Sequence, residues 1–190
     1  MFFSKKSEIK PMLVGICGRS CSGKSRVSKK IKELYDDVEI INQDKFFKVH
    51  ARNWEKPESL RQDKLLASLK KLKKGESTYI PTHRWTEEFD KKINPHRIIL
   101  IEGYLLFVDK RISDLFDKKI FVDVSDLNIL YRRTKRDNTS ENIDYTMEVV
   151  IPESKRYEKR QREKADVIID GNKSKKEVLR ETSKHIKDLK

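Results

Sequence analysis

Cysteine is scarce in this chain. Its two copies are Cys17 and Cys21. A bridge between them would close a very short loop, so both are expected as free thiols, and a disulfide-stapled scaffold is excluded. Long apolar runs are missing too. None reaches the roughly 18 residues that a membrane span needs. Met1-Phe2-Phe3-Ser4-Lys5-Lys6 contains no apolar stretch of the secretory type, so a reducing, cytoplasmic setting is expected. With 6 Gly and 5 Pro, no low-complexity linker is visible, and no internal repeat. Acidic residues are outnumbered, 31 Asp+Glu against 44 Lys+Arg, for a formal charge of +13. Such an excess fits nucleic-acid binding, or a solvated lysine-rich surface around a site that attracts polyanions. The basic residues are spread along the whole chain with no aromatic-interleaved tract. The second reading is preferred, and neither nucleic acid nor membrane is an expected partner.

What is present centres on Gly18-Arg19-Ser20-Cys21-Ser22-Gly23-Lys24-Ser25. This fits G-x-x-x-x-G-K-[ST], a loop whose backbone N–H groups crowd around polyphosphate. Gly18 and Gly23 allow the tight turn. Lys24 supplies a point charge for the β- and γ-phosphates, and the Ser25 hydroxyl suits a Mg²⁺ position. Met12 to Cys17 reads as a buried strand, and Lys24 to Tyr35 has helical spacing through Val27, Ile31 and Leu34. The loop therefore stands at a helix N-terminus, where dipole and unpaired N–H groups favour an anion.

A length of 190 residues predicts a single domain over 1–190, with 1–10 as a polar lead-in. Val38 to Ile41 reads as a second strand ending in Asn42-Gln43-Asp44. Asp44 is either a turn residue or a carboxylate that accepts a proton from an attacking hydroxyl beside Mg²⁺. Residues 52–58 read as a loop. Ser59 to Lys73 reads as an amphipathic helix, with Ser59 to Gln62 as a capping box and Gly75 as its stop. Tyr79 to Trp85 is an extended polar segment, a surface hairpin or a ligand-contacting one. Arg97 to Gly103 is the most apolar strand, its terminal Glu102 facing the same ligand edge. Ile112 to Phe116 is a short helix and Lys119 to Val124 a fourth strand. Ser125 caps a helix carrying Arg132, Arg133 and Arg136 on one face, suited to phosphate charge or simply solvated. Residues 137–144 are expected to be irregular, Glu153 to Lys164 helical, and Ala165 to Asp170 a fifth strand. A second capping box, Ser174 to Glu177, opens a terminal helix. The fold class is α/β: a three-layer arrangement of about five parallel strands with helices on both faces.

Assembled in order, these elements resemble the uridine kinase family of phosphate-loop nucleoside kinases, from about Leu13 to Asn172. The likeness rests on the G-x-S-x-S-G-K-[ST] form of the loop and on Gln43-Asp44-Lys45-Phe46-Phe47-Lys48. It also rests on Glu102-Gly103-Tyr104-Leu105-Leu106-Phe107, Phe121-Val122-Asp123, Arg132 to Asp137 and Ala165 to Ile169. The resemblance implies a P-loop kinase fold with a helical lid at about 132–164, with Mg²⁺ and ATP as cofactors. It implies phosphorylation of a ribonucleoside 5′-hydroxyl. Asp44 would be the base, Lys24 the phosphate anchor, and Ser25, Asp44 and Glu102 the metal-side groups. Residues 18–25 with Arg132, Arg133 and Arg136 would hold the ATP phosphates. Phe47, Tyr79, His83, Arg84, Arg136 and Tyr145 would join Asp44 around the acceptor.

Uridine or cytidine is the expected acceptor, because His83 and Arg84 offer donors to pyrimidine carbonyls. The alternative is nicotinamide riboside, since Asn53-Trp54-x-x-Pro57-Glu58-Ser59 and the spacing from Tyr145 to Pro152 look as much like that sister group. An RNA-linked NTPase is the alternative from another class. A silent nucleotide sensor is disfavoured by the joint presence of Asp44 and Glu102. The sequence leaves ATP against GTP and the oligomeric state open, a homo-oligomer included.

Overall fold

The computed structural model describes residues 10–51, 53–83, 86–137 and 141–187. Strand β1 (Met12–Cys17) leads through the glycine loop into helix α1 (Lys24–Leu34), and β2 (Val38–Asn42) follows. Helix α2 spans Gln62–Lys73, and a short antiparallel hairpin pairs β3 (Thr78–Ile80) with β4 (Lys91–Ile93). Then come β5 (Ile98–Gly103), α3 (Lys110–Ser113) and β6 (Lys118–Asp123). Helices α4 (Asp126–Asp137), α5 (Glu141–Tyr145) and α6 (Ile151–Glu163) form an arm, with a wide π-turn over Thr146–Val150. Strand β7 (Val167–Asp170) and helix α7 (Lys175–Lys187) complete the described chain. No helix among the described residues is long and apolar enough to cross a membrane.

The main sheet is parallel throughout, in the order β2-β5-β1-β6-β7. Side-chain alternation splits its core into two layers. Leu13, Cys17, Ile99, Ile101 and Phe121 face one way, onto Leu65, Leu69 and Leu72 of α2. Val14, Ile16, Ile98, Leu100, Ile120 and Val122 face the other, onto Val27 and Ile31 of α1 and Val178 and Ile186 of α7. Both faces of β5 are therefore dry, which explains its unbroken apolar sequence. After β1 the chain goes to one side of the sheet for β2 and later to the other for β6. The crevice at this switch lies beyond the C-terminal end of β1, where the glycine loop begins.

Several local expectations are corrected. The proposed capping box at Ser59 does not form. Pro57–Ser59 makes a 3₁₀ turn, α2 begins at Gln62, and Gln62 Nε2 turns back to the Pro57 carbonyl (3.1 Å). Ser59 Oγ instead donates to the Asn53 carbonyl. The segment expected to be irregular at 137–144 ends in α5. Its helical path continues into α6, and the π-turn lies just before Pro152, which has no N–H to offer the preceding turn. The helix expected at 112–116 occurs earlier, at 110–113, because Asp109 accepts from Arg111 N–H (2.9 Å) and caps it there. The lysine-rich strand β4 gave no apolar signal. The Ser174–Glu177 box is present, with Ser174 N–H on Glu177 Oε2 (3.1 Å) and Glu177 N–H on Ser174 Oγ (3.3 Å). Gly75, at φ 78°, ends α2 as expected.

Candidate functional site

The loop after β1 depends on glycine for steric reasons. Gly18 has φ 153°, and a Cβ there would stand 2.4 Å from the Val122 carbonyl oxygen. Gly23, at φ 101°, precedes α1 directly. Lys24 is buried, and its Nζ donates to the Arg19 carbonyl (2.9 Å) and Ser22 Oγ (3.3 Å). Its ammonium is thus folded over the loop that is suited to phosphate.

A cavity of about 320 Å³ opens beside this loop. Ser20, Cys21, Lys24 and Ser25 form one wall, and Asn42, Asp44, Glu102 and Gly103 another. Phe47, Trp54, Glu55, Tyr104, Arg133, Arg136 and Tyr145 complete it. Asp44 and Lys24 therefore line the same cavity. Asp44 is fixed by its backbone, since the Asn42 side chain at the end of β2 accepts from Asp44 N–H (2.7 Å). The segment around Phe47 is pinned by Lys48 N–H to the Ser59 carbonyl (2.8 Å) and Arg61 N–H to the Phe46 carbonyl (2.8 Å).

Glu102 is the penultimate residue of β5, 5% exposed. Burial raises its pKa, opposed by a hydrogen bond from Ser25 and the charge of Lys24. Asn42 Nδ2 donates to its Oε1 (3.0 Å). Burial also pushes the Glu55 carboxyl up, to about 7, although the Arg133 charge opposes this. The Tyr104 hydroxyl meets both Glu55 and the Trp54 carbonyl, and burial raises its pKa strongly. Burial raises the Tyr145 pKa as well.

The arm supplies the cations. Arg132 donates to the Cys21 carbonyl (3.1 Å) and the Gly171 carbonyl (2.8 Å). Arg133 donates to Thr146 Oγ1 (3.0 Å) and Ser20 Oγ (2.9 Å). A second cavity, of about 640 Å³, borders the same loop and shares Cys21, Lys24, Ser25 and Arg136 with the first. Arg26, Tyr131, Arg132, Arg136, Lys173 and Lys175 are among its walls.

Not every expected residue arrives at the site. Arg19 offers the loop its backbone, but its side chain is buried and runs away from both cavities toward Asp126 and Ser154. Tyr79 sits on β3, 54% exposed, and neither it nor His83 lines the cavity. Arg84 lies outside the described residues. In their place Asn42, Trp54, Glu55 and Tyr104 stand at the cavity. Tyr104 directly follows Glu102-Gly103 at the sheet edge, and that adjacency was a usable signal.

Among the described residues, no group of His, Cys, Asp and Glu is arranged to hold a metal ion by itself. The oxygen donors of Ser25, Glu102 and Asp44 line the same cavity, and Ser25 hydrogen-bonds Glu102. That set fits a hard ion such as Mg²⁺, which takes few protein ligands and completes its shell with water and substrate phosphate.

Comparison with known proteins gives a consistent result. Residues 33–177 match the model of the phosphoribulokinase/uridine kinase family. The uridine kinase of Chlamydia pneumoniae is 30% identical over 199 aligned positions, covering 93% of this chain and 89% of that one. Uridine kinase-like protein 3 of Arabidopsis thaliana is 33% identical over 150 positions, 70% of this chain but 32% of the plant protein. Among solved structures, shikimate kinase of Bacteroides thetaiotaomicron superposes with a TM-score of 0.60 at 11% identity, over 93% of this chain and 98% of that one.

Proposed function

The chain belongs to the phosphoribulokinase/uridine kinase family, and from that premise we propose that it transfers the γ-phosphoryl group of ATP to the 5′-hydroxyl of a ribonucleoside, uridine or cytidine by preference. The observation that carries this reading is the convergence of Asp44 and Lys24 on one cavity, with Ser25 and Glu102 between them. ATP enters with its phosphates on the N–H groups of residues 18–25, at the start of α1. Lys24 leaves the Arg19 carbonyl for the phosphate oxygens, a stronger, charge-assisted partner. Asp44 accepts the proton of the nucleoside hydroxyl as it attacks in line. Arg133 and Arg136 stand over the same cavity and offset the charge that develops on the transferring group. Mg²⁺, held on the side of Ser25, Glu102 and Asp44, supplies charge neutralisation of the phosphates when bound. The arm closes the site against water, which limits idle hydrolysis.

A second reading, nicotinamide riboside as acceptor, is favoured by one feature of the cavity. Phe47, Trp54, Tyr104 and Tyr145 provide aromatic faces beside the carboxylates of Asp44 and Glu55, while His83 stays away. Such walls suit a cationic ring. The two readings separate in one assay: a nucleoside panel with ADP release coupled to an optical readout. Uridine and cytidine are expected to turn over fastest. The reverse ranking overturns the pyrimidine choice. ATP hydrolysis stimulated by RNA, with no nucleoside accepted, overturns the kinase reading itself.

A further inference from the structure

Arg19 occupies the second position of the glycine loop, yet its guanidinium serves another part of the molecule. Nε donates to Ser154 Oγ on α6 (3.0 Å). Nη1 donates to Asp126 Oδ1 at the start of α4 (2.7 Å) and to the Val124 carbonyl (3.5 Å), and it lies 3.5 Å from Glu158 Oε2 on α6. Charges alternate outward from this point. Lys155 pairs with Asp126, and Arg162 meets Glu158 at 4.0 Å and Asp123 at 2.6 Å. Asp126 is where the α4–α6 arm departs, and Ser154, Glu158 and Arg162 are where it returns. Both roots of the arm are therefore tied to one side chain of the phosphate loop.

A buried ion cluster is by itself weak evidence for more than packing, since desolvation offsets much of its attraction. What distinguishes Arg19 is its backbone. Its carbonyl accepts from Lys24 Nζ (2.9 Å). The next two loop residues are also held by the arm, Ser20 by Arg133 and Cys21 by Arg132. Loop residues 19 to 21 and the arm are thus joined as one body. Building on the kinase reading, we infer that Arg19 is a positioning residue. It sets the arm, with Arg133, Arg136 and Tyr145, at a fixed distance from whatever fills the phosphate loop, and so couples nucleotide binding to closure over the acceptor.

The test uses the full chain with Arg19→Met, Arg19→Lys and Ser154→Ala, the last removing one of the contacts to Arg19, together with a bond to the Ile151 carbonyl within α6, while Arg19 keeps its Asp126 partner. ADP affinity is measured by calorimetry, and ADP and nucleoside monophosphate formation are measured together. Arg19→Met is expected to lower kcat for transfer about 10- to 100-fold, the cost of a slightly misplaced site, with ADP affinity changed less than about threefold. Its ratio of ADP to monophosphate should rise above that of the parent chain. Ser154→Ala should move both readouts the same way by less, and Arg19→Lys should recover part of the loss. A role confined to packing would lower thermal stability and leave kcat and the product ratio unchanged, which overturns the inference. So does a loss of ADP affinity as large as the loss of kcat. Amide exchange separates this outcome from failure of the kinase reading. ADP should slow exchange across residues 143–150 in the parent chain and not in Arg19→Met, whatever the acceptor proves to be. Equal slowing in both sinks the coupling.

Discussion

Glu55→Gln tests the cavity beside the phosphate loop without any substrate. The Glu55 carboxyl is held near 7 rather than the usual 4.5, chiefly because the cavity wall excludes water from it. Asp44 and Glu153 add to this effect, while Arg133 and the Tyr104 hydroxyl oppose it. In the unfolded chain the same carboxyl ionises near 4.5. Between these values the folded state binds more proton than the unfolded one, so stability falls as pH rises through that window. At 1.36 kcal/mol for each pH unit, the gap from 4.5 to about 7 corresponds to about 3 kcal/mol as an upper bound. Glutamine has the shape of the protonated acid and never ionises. Glu55→Gln should therefore be close to neutral at about pH 4 and stabilising by up to about 3 kcal/mol at about pH 8. The assay is urea unfolding of both proteins at four or five pH values, each curve analysed with a common m-value. A difference that stays flat across pH, or that favours glutamate at the alkaline end, refutes a desolvated carboxyl at this position.

Asp44→Asn should keep ADP affinity and lose about 10²- to 10⁴-fold in kcat, the usual worth of a positioned base; near-normal turnover removes Asp44 from the chemistry. Gly103→Ala should destabilise the fold by about 1–3 kcal/mol, because overpacked sites seldom relax fully. Its added Cβ would stand 2.2 Å from Gln43 Oε1, which accepts from Leu105 N–H, and a thermal scan with unchanged Tm contradicts this.

The parts of the molecule that were legible in the sequence are those whose physics is local. The strands could be read because β1, β5 and β6 are buried and apolar over most of their length. The phosphate loop could be read because Gly18, Gly23, Lys24 and Ser25 act within one turn of backbone. The rest of the cavity wall was harder. Trp54 and Glu55 reach the cavity only through the pairing of residues 46–48 with 59–61, a contact that no periodicity announces. Tyr79 lies away from the cavity for a reason written in its strand. Thr78 and Ile80 are buried, so strand alternation sends Tyr79 outward. Arg19 had the right position for a phosphate ligand, and only the packed arm reveals where its guanidinium goes.

The excess of positive charge finds its physical meaning in how the cations near the loop are held. Lys24 rests on a carbonyl and a hydroxyl, Arg132 on two carbonyls, and Arg133 on two hydroxyls. All these partners are neutral acceptors. Hydrogen bonds from a cation to such groups keep it oriented and spare it the cost of lying buried and unpaired. They are also weaker than bonds to a phosphate oxygen, so an arriving polyphosphate can displace them with a net gain. A carboxylate hydrogen-bonded in the same role would compete with the phosphate, whereas Asp126 and Glu158 pair with Arg19, behind the loop. This division between neutral holders at the site and charged holders behind it prepares the loop to exchange partners when nucleotide binds. It also disfavours a nucleic-acid stripe, because the arginines of α4 are aimed at a loop and two cavities rather than spread over an open face.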